Sequence, residues 1–320
     1  MKKAEKQKNR RMTPLSIVLF AILAVYVISL TIPLIWGLST SLKHYYLDFR
    51  YNVLGFPNFS AWEKSTIEGE NAWYSNFVNV IENFNFQLRS VFYAGFNGDI
   101  SVTHESTVTI WTALLNTLLY AGVMSVLNAL VPCVVGYLCA KYKFKFSGVI
   151  YTVVVFAMAM PIFGSTPAVI TLLRQLGLYD EFMGQWLMSA TFANMYFLVF
   201  YAFFEGLSDS YLEAAEIDGA SQFRVMTTIA IPLAKNTIMT VILIVFVALW
   251  NDYNAPILYL PTKPTLAYGI FWLQQRSPVV KSQVTLQVAS LMVLAVPILI
   301  LFIIFKDRLM GNLSLGGVKE

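Results

Sequence analysis

Hydrophobic positions in this chain do not alternate with polar ones. They fall in long tracts from which charge is missing altogether. No Asp, Glu, Lys or Arg occurs in 12–42, 106–140, 146–173, 182–204, 236–251 or 282–305. Most of these tracts exceed the ~20 apolar residues that cross a bilayer core. The tract at 236–251 is shorter, but beyond Asp252 the chain stays apolar to Leu260. The pattern therefore predicts an all-α membrane protein with six transmembrane helices, near 15–40, 110–140, 148–168, 184–204, 236–258 and 283–305. Pro161, Gly164 and Pro167 predict a break towards the outer end of the third. Broken helices at membrane depth tend to line cavities. Leu172–Gly177 is expected to continue as an interfacial helix.

Between the first two tracts lies a segment, about 41–107, dense in Tyr, Phe and Trp: Tyr45, Phe49, Trp62, Trp73, Phe86 and Tyr93 among them. It is too aromatic for a disordered linker. A small packed cap with some rings at the lipid interface is expected. Part of it is a candidate landing surface for an outside partner, since aromatics supply rigid contact area.

Composition agrees. Of 320 residues, 57% are hydrophobic and 12% charged, against about 25% charged in soluble domains. A net charge of +4 does not mark a nucleic-acid binder; its distribution sets orientation instead. Segments 1–14, 141–145, 206–235 and 306–320 hold 14 of the 22 Lys and Arg. The positive-inside rule then places both termini and the 206–235 loop in the cytoplasm. Segments 39–109, 174–185 and 257–282 fall outside. The apolar run Leu15–Leu38 after the basic start is too long for a secretory signal and is read as an uncleaved first span. Cys133 and Cys139 read as small buried hydrophobes. His44 and His104 are expected to be solvated. No metal-ligand spacing is present.

Residues 213–232, inside the 206–235 loop, form a polar stretch set between two very hydrophobic ones. Ser210 and Glu213 stand three apart, as in a capping box. Leu212, Ala214, Ala215, Glu216 and Ile217 then carry a short helix. Gly219 is expected to end it in the left-handed conformation, with Asp218 and Ala220 beside it. Ser221 is placed to cap a second helix, which Pro232 interrupts. Ala214 and Ala215 give the first helix a low-relief flank that can sit deep in a groove.

Glu213, Ala214, Ala215, Gly219, Ile229 and Pro232 are in register with a known pattern. They resemble the cytoplasmic loop of ATP-binding-cassette import permeases, with Ile231 where that family more often has Leu. Ala248-Leu-Trp250-Asn251-Asp252-Tyr253 and the ending Gly316-Gly317-Val318-Lys319 resemble the carbohydrate-uptake branch, notably its smaller maltose-permease-like subunit. The resemblance covers most of 106–320. It implies the type I importer permease architecture, with the segment between the first two spans enlarged. The organisation is then a basic cytoplasmic start at 1–14, a first span at 15–40 and an external segment at 41–107. A core at 108–305 follows, with five spans and the coupling loop 206–235, and then a cytoplasmic tail at 306–320. The implied partners are a second homologous permease subunit, two ATP-binding subunits, and an extracellular or periplasmic solute-binding protein that delivers a carbohydrate. ATP and Mg would sit on the partner subunits, and this chain would bind no cofactor itself. Gly316, Gly317 and Lys319 would reach between the ATPase subunits.

Nothing in the sequence looks catalytic, and no phosphate-cradling loop is present. Candidate pathway residues are Asn194, Trp250, Asn251 and Asp252, with Asn116 and Gln287 behind them. Asp252 is the acid nearest membrane depth. Counted at ~1.5 Å per residue from Lys235, it lies ~26 Å up a ~30 Å core. A helix-end acid bonded to a neighbouring loop is therefore an equal reading. Trp250 and Asn251 suit sugar stacking and hydroxyl bonding, or an interfacial belt. Asn194, mid-way along the fourth span, suits an interhelical hydrogen bond. The same architecture could carry another solute, such as a glycerol phosphate. An ion-driven secondary transporter would need paired intramembrane acids or an inverted repeat, and neither is seen. A non-transport sensor would leave the capped loop unexplained.

Overall fold

The computed structural model describes residues 13–65, 72–95, 98, 100–142, 144–160 and 164–313. Two compact units divide the chain: 1–80 with 279–292, and 81–278 with 293–320.

In the first unit, α1 (Pro14–Ser41) starts at Thr13, whose side-chain oxygen accepts from the Ser16 N–H at 3.2 Å. Pro14 follows at the first helical position, where its missing N–H costs nothing. None of the most apolar stretch of α1 is buried by the rest of the chain. A helix apolar all round and still uncovered belongs in lipid or against another subunit. Past its end the chain packs into a small cap containing α2 (Ser60–Glu63) and the start of α3 (Ser75–Asn83). The buried Asn76 amide bonds the carbonyls of Ser41 and Lys43. The Trp62 indole bonds the Leu42 carbonyl at 3.0 Å. Lys43 is fully buried and donates to the carbonyls of Asn52 and Val53. His44 is not solvated as expected: it is 2% exposed and accepts from the Leu47 N–H.

The second unit begins with a feature that an all-helical reading misses. β1 (Asn85–Ala94) and β2 (Ile100–Thr109) form an antiparallel hairpin, with Arg89 opposite Glu105 and Val91 opposite Thr103. Phe86, Phe92 and Ala94 are buried, while Gln87, Arg89, Val91 and Tyr93 face out. This period of two is the strand signal, carried in β2 by Val and Thr. It was legible in the sequence, but composition alone passes over it. The Phe86 ring stacks on Trp272 with centroids 4.0 Å apart.

β2 runs straight into a helix. Thr109 and Thr112 form a capping box at the start of α4 (Ile110–Thr117). A π-helical turn (Leu118–Gly122) joins it to α5 (Val123–Lys141), and the whole spans 32 residues. The expected third span divides into α6 (Ser147–Ala159) and α7 (Ser165–Gln175), with Gly164 at φ 77° before the second piece. Pro161 lies outside the described residues. The expected fourth span also divides, into α8 (Phe182–Ser189) and α9 (Met195–Glu205). α10 (Ser210–Ile217), α11 (Gln222–Val225) and α12 (Ile231–Leu233) form the polar loop. α13 (Lys235–Trp250) stops short of the expected 258, and α14 (Asn254–Tyr259) is separate. α15 (Leu266–Arg276) and α16 (Pro278–Ser282) lead to α17 (Val284–Leu313).

Six charge-free tracts thus do not make six long helices. Among the described residues, three helices are long and apolar enough to cross a membrane: Pro14–Ser41, Ile110–Lys141 and Val284–Phe305. The pair Gln222–Leu233 and Lys235–Trp250, bent by 67°, counts as a fourth only if taken as one span; Ser147–Ala159 and Met195–Glu205 are shorter apolar helices. Charge-free length measures apolarity and says nothing of where the helical ladder breaks.

The second unit's core joins α5, α9 and α13 through Cys133, Tyr137, Phe200, Phe204, Val241 and Val245. Gly136 makes the α5–α9 approach possible. A Cβ there would stand 3.0 Å from the Tyr201 nitrogen and 3.1 Å from the Phe200 Cβ.

Candidate coupling site

The polar loop folds as two short helices at a corner. α10 starts at Asp209, without a side-chain cap. The expected capping box is absent: the Ser210 hydroxyl meets the Ser208 hydroxyl at 2.7 Å, and the Glu213 N–H bonds the Asp209 carbonyl at 3.0 Å. Ser210 is the first helical residue rather than the cap, which removes its side chain from the free N–H groups.

The other end is as expected, and better closed. Gly219 has φ 84°. Its N–H bonds the Glu216 carbonyl at 2.9 Å, and the Ala220 N–H bonds the Ala215 carbonyl at 3.0 Å. This double closure is a Schellman motif, which needs a left-handed residue where Gly219 stands. Asp218 occupies the helix C-cap. Ser221 caps α11, its side chain accepting from the Arg224 N–H at 3.4 Å.

Pro232 acts upstream as well as downstream. A π-helical turn at Met226–Ala230 precedes it, and the chain bends before α13 at Ala234. Proline supplies no N–H and its ring crowds the preceding turn, so the hydrogen-bond ladder must change register there.

Two sets of polar contacts fix this corner to the end of α5. Lys141 Nζ, on a side chain only 7% exposed, donates to the Leu207 carbonyl at 2.5 Å and to Asp209 Oδ1 at 2.6 Å. The Tyr142 hydroxyl bonds Gln222 Oε1, and Gln222 Nε2 donates to Glu216 Oε1 at 2.7 Å. Leu212 and Val225 point into the core. Facing out are Glu213, Ala214 and three large apolar side chains: Tyr211 at 58%, Ile217 at 85% and Phe223 at 70% exposed. Three such residues are thus left uncovered in one polar loop. Tyr211, Ile217 and Phe223 carry no signal in the family pattern, and only their exposure reveals them.

The other candidates do not gather into one site. Trp250 is 2% exposed, and its indole N–H donates to the Leu294 carbonyl at 3.1 Å, so its ring is packed within the chain. Asn251 is exposed and its amide folds back to the Val247 carbonyl at 2.9 Å. Asp252 accepts from the Tyr120 hydroxyl at 3.1 Å and from the N–H groups of Asn254 and Ala255, at the start of α14. Of the two readings open for it, the geometry is that of the helix-end acid. Asn194 is not mid-span. It is the N-cap of α9 and accepts from the N–H groups of Tyr196 and Phe197. An Asn inside a charge-free tract looks like an interhelical donor, yet here it starts a helix. Asn116 donates to the Pro264 carbonyl and Gln287 to the Lys281 carbonyl. Gly316, Gly317 and Lys319 lie outside the described residues.

His104 also departs from the solvated reading. It stands 2.9 Å from Oδ2 of Asp180, which is fully buried, and Thr262 bonds both Asp180 oxygens. Nearby, burial and then the Asp180 carboxylate hold the Tyr268 phenol above its usual pKa range. It stays a neutral donor, to the Pro261 carbonyl at 3.2 Å.

The chain is similar to known proteins in sequence and in fold. The family described as "Binding-protein-dependent transport system inner membrane component" matches residues 133–315, a stretch that contains the whole coupling corner. The diacetylchitobiose uptake system permease protein NgcG of Streptomyces coelicolor is 27% identical over 212 residues, covering 63% of this chain and 68% of its own. The arabinooligosaccharides transport system permease protein AraQ of Halalkalibacterium halodurans is 26% identical, covering 65% and 74%. A chain in the crystal structure of a bacterial ABC transporter involved in the import of the acidic polysaccharide alginate superposes with a TM-score of 0.66. It is 20% identical and covers 92% of this chain and 95% of its own. The fold is therefore that of the type I ABC importer permeases, mostly helical and multi-pass. The chain belongs to the family of binding-protein-dependent transport system inner membrane components.

Proposed function

We propose that this chain is the permease subunit of an ATP-driven importer that carries a sugar or oligosaccharide across the bacterial cytoplasmic membrane. The observation that carries the coupling role is the corner at 206–235. Its short helix is closed by a Schellman motif, braced to α5 and crowned by exposed Tyr211, Ile217 and Phe223. A membrane span cannot hydrolyse ATP, so a soluble motor needs a rigid part to push. In this reading α10, with Glu213 and Ala214 on its outer flank, seats in a groove of an ATP-binding subunit, while Ala215 packs inward against the core. ATP and Mg belong to that subunit. Two such subunits, a second homologous permease and a solute-binding protein complete the complex. Both termini and the 206–235 loop lie in the cytoplasm, and the hairpin lies outside, as the charge asymmetry supports. The tail at Gly316, Gly317 and Lys319 reports on closure of the ATPase pair. The carbohydrate assignment draws on the relatives: the two described above are named for transport of sugar oligomers.

The test is uptake in proteoliposomes holding the complete complex and its binding protein. ATP-dependent accumulation of a labelled oligosaccharide is expected, with none from a glycerol phosphate. Uptake driven by an ion gradient without ATP would overturn the reading.

A further inference from the structure

The hairpin, the buried Asp180 and the segment after α14 meet in one fastening. Asp180 is the only described non-glycine residue with positive φ, at 61°. It is fully buried and lies between α7 and α8. Its N–H bonds the Tyr259 carbonyl at 3.0 Å. Its Oδ1 accepts from the Thr262 N–H at 3.1 Å, and its Oδ2 from the Thr262 hydroxyl at 2.7 Å. The same Oδ2 lies 2.9 Å from His104 Nδ1 on β2. Next to it, Glu181 pairs with Lys263 and lies 3.8 Å from His104 Nε2. A buried carboxylate is stable only when fully bonded. Here the bonds join three stretches far apart in sequence.

What this clasp holds is the end of a strut. β2 passes without a loop into the helix Ile110–Lys141, about 48 Å long at ~1.5 Å per residue. Near the clasp, that helix is tied to the segment after α14: Asn116 donates to the Pro264 carbonyl, and Thr117 accepts from the Leu266 N–H at 2.7 Å. The π-helical turn at Leu118–Gly122 shifts the ladder, and the Leu119 carbonyl receives the Trp186 indole at 3.2 Å. At the far end, Lys141 grips Leu207 and Asp209 of the coupling corner. One continuous helix thus has both ends fastened by polar contacts.

We propose that Asp180 is a positioning residue for transport coupling. The His104–Asp180–Thr262 clasp fixes the hairpin end of the Ile110–Lys141 strut, so that an event on that side reaches the ATPase-docking corner. This rests on the permease reading. The prediction is that the clasp matters for the response to the solute-binding protein and not for ATP turnover as such.

The experiment compares wild-type complex with Asp180→Asn and Thr262→Val in proteoliposomes, reading ATPase rate with and without loaded binding protein. Asn tolerates left-handed backbone and Val keeps the volume of Thr, so both variants are designed to fold. The expected result is at least a fivefold loss of stimulation in both, with basal ATPase rate and complex yield within about twofold of wild type. His104→Gln should show a smaller loss, since it leaves the Asp180–Thr262 contacts in place. Stimulation equal to wild type in both variants would overturn the proposal. Stimulation, basal rate and yield falling together would do the same, by reducing the clasp to a fold contact. A wild-type complex that no binding protein stimulates would instead overturn the permease reading, and the clasp's role with it.

Discussion

Trp250 and Leu294 are joined by a hydrogen bond from the indole N–H to the main-chain carbonyl, 3.1 Å long, one turn before Pro297 in α17. A proline weakens the helical ladder on its N-terminal side, because it supplies no N–H there. Pro297 withholds its N–H from the carbonyl of Val293, and at the next residue the Leu294 carbonyl takes a donor from outside its own helix. Trp250 is therefore a joint between two helices. Trp250→Phe should lower the stability of the solubilised complex by about 1 kcal/mol, the usual cost of one such bond. Trp250→Ala should cost ~3–5 kcal/mol. Thermal unfolding measures both. An unchanged transport KM is expected for Trp250→Phe; a large rise in KM with normal stability would return Trp250 to the solute pathway.

Ser210 and Gly219 should respond in opposite ways. Ser210→Ala removes no bond to a helix N–H, so its effect on stability should stay within about 0.5 kcal/mol, and uptake should be normal. A loss of ~1 kcal/mol, typical of a true N-cap, would show that the capping box forms after all. Denaturation of the purified complex distinguishes the two.

Gly219→Val places a β-branched residue at φ 84°, at a cost of roughly 1–2 kcal/mol. Combined with Glu213→Ala, it should depress transport and co-purification of the ATP-binding subunit while membrane insertion stays normal. Uptake and assembly at wild-type levels in the double variant would remove the docking role from this loop.

Orientation is testable by single-cysteine labelling after replacing Cys133 and Cys139, both buried, with Ala. Tyr93→Cys on the hairpin should react with an impermeant reagent in intact cells. Ile217→Cys, at a position 85% exposed in the loop, should react only after permeabilisation. The reverse pattern would invert the topology.

Deleting 312–320 should leave complex yield unchanged but uncouple ATP hydrolysis from uptake, read as both rates in one reconstituted preparation. Wild-type values for both would make the tail an ordinary frayed terminus.

The sequence by itself determined what depends on local chemistry and on solvent. Charge-free tracts fixed the membrane class, because a bilayer excludes charge over any ~20-residue length. The left-handed closure at Gly219 and the cap at Ser221 were legible, since each is a contact between residues a few positions apart. Tertiary structure decided everything that depends on partners distant in the chain. Whether Asn194 bonds a neighbouring helix or caps its own turned on a break at 190–194 that no charge marks. Whether Trp250 faces a solute or Leu294 turned on how α13 meets α17. His104 reads as a solvated side chain until the hairpin carries it to Asp180, 76 residues away. The hairpin itself lay between the two kinds of information. Its period of two is written in the sequence, but its burial came only when Phe86 met Trp272 and Phe92 met Tyr179.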